Sequence, residues 1–478
     1  MKHIFSFFVV AFILFSCRPP VGGDLESTSP SSGYDFPRIF DDFWNGMNRN
    51  YVYWDREPGP GWEPVLAQLP TETRDFILAH PASFWDRIYD YYKPQFDKLG
   101  TFADTFSPGY SDARDKAIGY FQEMTLGMLD GHFRVYFEGI PGPFFPAQNR
   151  FLLKTLNNDP PGANAVFSQS DLSQTNVTIQ RDPTKIDLTN LSNNYFGKYD
   201  FVNQVLKKYM TIKKQTLVRP STLPTMLAGP WKLAAGERAH SSGGKIVYLF
   251  TNYCYLMDAF DPSSEVYKKA SGTQAVINTF FDSLAAQDVK GVIVDVRGNM
   301  GGNPADNPFL FGRMIDRPLT FAYSRSKSGE GRLDYSPWMP VRIIPAPATE
   351  KRLKNTNIPI ALLADRGTFS GAEFHTMIVK SMPNGRVVGE TTNGSASNTV
   401  NSLIYNGGAF SVGAVVDQVA GSVVQYQCAD GNVYEGIGIP PDIDVPMSYA
   451  EWVKFFTGQS DRQLEEAIRY IDPGAMLP

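Results

Sequence analysis

Apolar residues from Phe36 onward fall at helical spacing: Phe36, Ile39, Phe40, Phe43, Trp44, Met47 and Tyr51 recur at intervals of one to four positions and predict an amphipathic helix. A second helix is predicted around Phe84, Trp85, Ile88, Tyr91 and Tyr92, and a third over about 115–129. Residues 35–140 therefore read as an N-terminal helical domain whose aromatic stripes form its core. The pattern breaks over 141–240. That stretch is rich in Asn, Thr, Ser and Pro, carries one helical pattern near 199–210, and reads as an insert or subdomain.

From Lys245 the periodicity changes again. Short apolar runs at 245–250, 289–296, 358–364 and 386–389 predict strands, and helical patterns at 273–286 and 370–382 lie between them. The run VKGVIVDV has almost no polar alternation, as expected of a strand buried on both faces. Alternating strands and helices predict a layered α/β core over 241–450. Two further helices are predicted near 449–456 and 461–471, placing 451–478 as a C-terminal helical segment.

The first residues follow a different logic. Met1-Lys2-His3 is a short basic start, and 4–15 is almost wholly apolar; such a stretch is too short to span a bilayer and suits the core of a signal peptide. It ends in Leu14-Phe15-Ser16-Cys17, which resembles the lipobox of bacterial lipoproteins. By that resemblance 1–17 is a signal peptide with its lipobox and Cys17 carries the lipid. Residues 18–34 then form a flexible tether. The expected product is exported and anchored to the cell-envelope membrane, on the periplasmic side or at the outer-membrane surface.

Charge and cysteine content narrow the chemistry. Lys and Arg number 44 against 49 Asp and Glu, a net charge of −5, so the chain lacks the electrostatic footprint of a nucleic-acid binder. The cysteines are Cys17, Cys254 and Cys428, with no CxxC pair, which excludes a zinc ribbon or a thioredoxin-like centre. No HExxH helix or carboxylate–histidine cluster occurs, so neither a metal nor another cofactor is expected. If Cys17 is lipidated, Cys254 and Cys428 are either a disulfide pair or two free buried thiols.

Three turns carry unusual residues. Asp295-Val296-Arg297-Gly298-Asn299-Met300-Gly301-Gly302 closes the buried strand, and its glycines allow backbone N–H groups to approach a ligand. It lacks the Lys-Ser/Thr of a phosphate loop. Asp365-Arg366-Gly367-Thr368-Phe369-Ser370-Gly371-Ala372-Glu373 joins a strand to a helix. A serine there gains from the free N–H groups and positive end of the helix, although a helix N-cap is the commoner use of such a residue. The third, Tyr434 to Ile443, carries Glu435, a carboxylate able to orient a histidine.

Five histidines are available as a base for Ser370. His3 leaves with the signal peptide, and His375 sits about 140° around the same helix. His80, His132 and His240 remain. His132 lies in Leu129-Asp130-Gly131-His132-Phe133-Arg134, at a helix-to-strand junction beside an acidic residue, where a general base can be positioned.

Together, DVRGNMGG, GTFSGAE and EGIGIPPDI resemble the C-terminal processing (tail-specific) serine peptidases and their tricorn-like relatives, in order and spacing. The resemblance covers about 245–443, and His132 more loosely. It implies a spiral α/β core shared with crotonase-like and ClpP-like proteins. It also implies Ser370 as nucleophile and the amides of Gly371 and Gly301 or Gly302 as oxyanion hole. The processing-protease branch takes a downstream lysine as base, yet no lysine occurs between Lys380 and Lys454. The tricorn-like branch takes a histidine, with a glutamate and a second serine behind it. His132 and Glu435 match two of these roles. The serine that precedes the histidine there is Gly131 here, so either Glu435 or Asp130 is left to orient the ring. No Gly-Leu-Gly-type loop marks a PDZ domain in 141–235, and tail specificity is not implied. The expected function is a serine endopeptidase acting on polypeptides. A catalytically silent carrier of apolar ligands, like the repeats of interphotoreceptor retinoid-binding protein, and a serine esterase or amidase are the alternatives.

Overall fold

The computed structural model describes residues 34–57, 69–79, 82–144, 205–218, 231–397, 415–447 and 451–478, apart from 265, 268, 269, 452, 453, 456 and 457. The expected signal peptide with Cys17, residues 18–33 of the expected tether, His80 and most of the expected insert lie outside the described residues, as does much of the helix expected near 449–456.

A seven-stranded sheet forms the centre. Lys245–Thr251, Val289–Asp295, Ile360–Ala364 and Gly385–Gly389 run parallel, with Ile443–Asp444 parallel at one edge. Every residue of Ile360–Ala364 is buried, which is what an unbroken aliphatic run achieves when both sheet faces are covered. Helices Ser271–Leu284 and Gly371–Ser381 cover one face, and Arg462–Ile471 packs on the other. This is the mixed α/β core expected from the alternation of strands and helices.

The structure differs from expectation in several places. Strands Trp231–Ala239 and Thr211–Val218 extend the sheet antiparallel from Lys245–Thr251, so the end of the expected insert is sheet. Thr211–Val218 is a mostly exposed edge strand bearing Lys213 and Lys214, a polar edge that hides strand periodicity. Only the end of the helix expected near 199–210 is described, where Lys207–Tyr209 is helical. Leu319–Ser326, flanked by Met339–Ile343 and Val424–Cys428, forms an antiparallel sheet whose half-exposed strands were not expected.

The N-terminal domain contains helices Phe36–Asn50, Thr71–Ala79, Phe84–Leu99 and Tyr110–Thr125. The third expected helix thus begins and ends earlier. Thr71–Ala79 was not expected because it buries only Thr73 and Ile77. Phe36, Phe40, Phe43, Trp85, Phe96 and Phe121 meet in one aromatic core. Strand Arg134–Phe137 leaves this domain and pairs with Val416–Ala420, while Phe133, Val135 and Phe137 sink into the aromatic core. That register fixes His132, two residues before the strand. Among the described residues no helix is long and apolar enough to cross a membrane.

Candidate active site

Ser370 follows Ile360–Ala364 and opens helix Gly371–Ser381. Its backbone has φ 52° and ψ −121° and is the one positive-φ non-glycine among the described residues, a conformation costing about 1–3 kcal/mol. The neighbouring turn holds it there. Phe369 N donates to Asn299 O at 2.9 Å, and Thr368 Oγ1 donates to Val296 O at 3.1 Å. Asp365 Oδ1 accepts from both Gly298 N and Gly367 N at 2.9 Å, tying the two glycine-rich turns together. Ser370 and Glu373 form a capping box at the start of the helix, and Ser370 Oγ lies 2.9 Å from His132 Nε2.

Glu373, one turn into the helix, sits behind this serine. Its Oε2 accepts from Ser370 N at 3.2 Å and Ser395 N at 2.7 Å, and its Oε1 from Thr392 Oγ1 at 2.5 Å and Gly394 N at 2.8 Å. Burial pushes its carboxyl up to about 7 against the pull of these donors.

The backbone amides facing Ser370 separate into two kinds. Gly301 N donates to Asn299 Oδ1 at 2.8 Å and is already engaged. Gly371 N opens the helix, and a Cβ added at Gly371 would lie 3.0 Å from Gly302 N. Gly302 and Gly371 therefore form the adjacent amide pair, with Gly302 in a φ +142° conformation that leaves a Cβ 2.1 Å from Cys254 O. The Gly301 N–H is thus committed to the Asn299 side chain, a bond that motif spacing alone does not register.

His132 is 3% exposed, so its ring depends on protein partners. Burial pushes it down to about 4, against the pull of Asp130 and with a further push from Arg134. Phe369 packs against the ring at 4.9 Å between centroids. His132 Nδ1 lies 3.0 Å from Ser397 Oγ, and Asp130 Oδ1 is farther, at 3.8 Å. Ser397 Oγ is 2.5 Å from Ser422 Oγ, which donates to Asp130 Oδ1 at 2.7 Å. Asp130 also accepts from His132 N at 2.8 Å and Ser422 N at 2.6 Å. Glu435 accepts from Gly131 N at 2.9 Å and from the Tyr53 hydroxyl at 3.3 Å.

Ser397, Ser422 and Tyr53 escaped the sequence reading. Isolated serines and one aromatic in an aromatic-rich helical domain give no local signal. Gly131 gains a reason: a Cβ there would fall 1.6 Å from Ser395 Oγ, so Ser395 occupies the space. The donor atoms of Asp130, His132 and Glu435 lie within 4.8 Å of one another and could hold a metal ion, but both carboxylates already accept N–H or O–H bonds. His240 bonds Ser242 on the hairpin before Lys245–Thr251. His375 is buried beside Cys254, with Nε2 and Sγ 4.0 Å apart, and burial pushes it down to about 3. Cys254 and Cys428 are both buried and free.

Residues 258–445 match peptidase family S41. Over that segment the chain is similar to the family. All three glycine-rich turns lie inside the match, whereas Asp130 and His132 lie outside it. Over 187 residues the chain is 27% identical to the nisin-resistance protein of Lactococcus lactis subsp. lactis, covering 37% of this chain and 54% of that one. The chain thus spans about half the length of that curated relative. A candidate peptidase from Parabacteroides merdae ATCC 43184 shares the fold, with TM-score 0.50 and 17% identity over 93% of this chain and 99% of that one. Mature CPAF aligns with TM-score 0.38 and 16% identity over 52% of this chain and 56% of that one.

Proposed function

We propose that this chain is a serine endopeptidase of the histidine-dependent, tricorn-like kind. The carrying observation is the 2.9 Å contact between the strained, positive-φ Ser370 and the buried His132. Ser370 attacks the scissile carbonyl while its proton passes to His132 Nε2. The alkoxide-like oxygen of the tetrahedral intermediate is held by the Gly371 and Gly302 amides, each donor contributing about 3–4 kcal/mol in comparable sites. The protonated ring then gives its proton to the leaving amine, and water repeats the cycle on the acyl-enzyme. Neutral His132, kept so by burial, is the form that accepts a proton. Asp130 and Glu435 hold the loop and the ring.

The S41 match supports a peptidase, and the missing downstream lysine supports a histidine base. The lipobox-like Leu14-Phe15-Ser16-Cys17 supports export and a lipid anchor at Cys17. Loss of radiolabelled palmitate from Cys17→Ser in a bacterial host tests that anchor.

Cleavage of reduced casein tests the chemistry, comparing the purified chain with Ser370→Ala and His132→Ala. Loss in both variants with unfolding transitions unchanged is the expected result. Loss in Ser370→Ala alone assigns another base. A wild type that spares casein and hydrolyses small esters would replace the peptidase reading with an esterase.

A further inference from the structure

Two polar networks flank the histidine, and they differ in quality. One runs from His132 Nδ1 to Ser397 at 3.0 Å, on to Ser422 at 2.5 Å and to Asp130 at 2.7 Å. The other centres on Glu435, which accepts from the Tyr53 hydroxyl at 3.3 Å and from Gly131 N at 2.9 Å. Ser397, Ser422 and Asp130 are each 2% exposed or less. We propose that Ser397, Ser422 and Asp130 form a hydroxyl relay that positions His132 for catalysis, and that Glu435 serves the backbone of Gly131 instead. The proposal rests on the serine–histidine reading above.

Hydrogen-bond directions follow from the carboxylate end. Asp130 accepts only, so Ser422 Oγ–H points to it; Ser397 Oγ–H then points to Ser422, and Ser397 accepts from His132 Nδ1–H. This fixes the proton on Nδ1 and leaves the Nε2 lone pair facing Ser370. When Nε2 takes the Ser370 proton, the Nδ1 proton stays in place and the added charge is stabilised through the polarised hydroxyls. No net proton moves along the relay. Asp130 further accepts from Ser422 N and His132 N, so one carboxylate sets both ends of the chain. A direct hydrogen bond from the His132 ring to Asp130 is excluded by the 3.8 Å separation of Nδ1 and Oδ1.

Two measurements on the full chain test this. Steady-state kinetics on casein-derived peptides are expected to show kcat lowered about 10²-fold in Ser397→Ala and Ser422→Ala, the scale of general-base assistance, with KM within about twofold. Ser422→Thr, which keeps the hydroxyl, is expected to recover most of the rate. Tyr53→Phe and Glu435→Gln are expected to lose less than Ser422→Ala. The second measurement needs no substrate. The proton NMR spectrum is expected to carry a downfield imidazole Nδ1–H resonance that shifts in Ser422→Ala and Asp130→Asn and stays in Glu435→Gln. A resonance moved by Glu435→Gln but not by Ser422→Ala would overturn the relay, whether or not the chain cleaves peptides. A chain that cleaves nothing yet shows the expected shifts would keep the relay and remove the peptidase reading.

Discussion

The turns at 295–302 and 365–373 are held by bonds within and between themselves, at the ends of two adjacent parallel strands. His132 and the Gly131 backbone before it are held from five separate places: Tyr53, Asp130, Ser397, Ser422 and Glu435. The nucleophile half is local and lies on the central sheet. The base half is assembled across the chain at the seam between the helical domain and the core. A local half concentrates its signal in short glycine-rich motifs, whereas an assembled half spreads it over unremarkable residues. The two halves should therefore fail differently when cut.

The largest effect is expected beneath the nucleophile half. Arg297 is fully enclosed and bonds Asp295 and Asp461 in fork geometry, with Gln463 beside them. Asp295 accepts from Tyr248 as well. Arg297→Met leaves two buried carboxylates without their cation, a loss of about 3–5 kcal/mol. Urea unfolding of the variant should show the midpoint fall, with activity lost in step with folding. A variant as stable as wild type would mean that the C-terminal helix Arg462–Ile471 does not brace the turn.

Next is a cut inside the site. A Cβ on Gly301 would lie 2.5 Å from Gly371 N and 2.7 Å from Ser370 Cβ, at φ +83°. Gly301→Ala should push the nucleophile off its amides and lower kcat about 10²–10³-fold, the worth of one oxyanion donor, with a small change in KM. Unchanged kcat would show that the Gly302–Gly371 pair is not where the oxyanion sits.

The same contrast explains what the sequence could disclose. Val289–Asp295 and Ile360–Ala364 were legible because burial on both faces leaves an unbroken apolar run. The glycine-rich turns were legible because close backbone approach needs glycines at short spacing, and Ser370 entered through the resemblance those turns carry. Ser397 and Ser422 were not, since they are 25 residues apart and their roles exist only once Val416–Ala420 pairs with Arg134–Phe137. Thr211–Val218 stayed hidden because an exposed edge strand has no apolar face to display.

A smaller effect is expected at the joint between the halves. Gly131→Ser reinstates the serine found before the histidine in tricorn-like relatives, but its Cβ would overlap Ser395 Oγ. The single variant should lose about tenfold in rate, and Ser395→Gly in the same chain should recover it, with a coupling of about 0.5–3 kcal/mol. Additive losses would show that the two positions do not share one space.

The finest test is pH, because the halves carry titratable groups displaced in opposite directions. Burial holds His132 below its ordinary value, at about 4; protonation is disfavoured in the fold, so the neutral base persists as pH falls and is lost only near 4. Burial holds Glu373 above its ordinary value, at about 7. Above that pH its carboxylate accepts all four donors; below it, one oxygen becomes a donor facing N–H groups, and the Ser370 backbone loosens. The rate should therefore fall in two steps with decreasing pH, a shallow one near 7 from the nucleophile half and a steep one near 4 from the base half. Glu373→Gln places a permanent amide there, so it should run at the lower rate with no step near 7 and keep the step near 4. A single step near 6.5, untouched by Glu373→Gln, would assign the titration to an ordinary histidine and break the division between the halves.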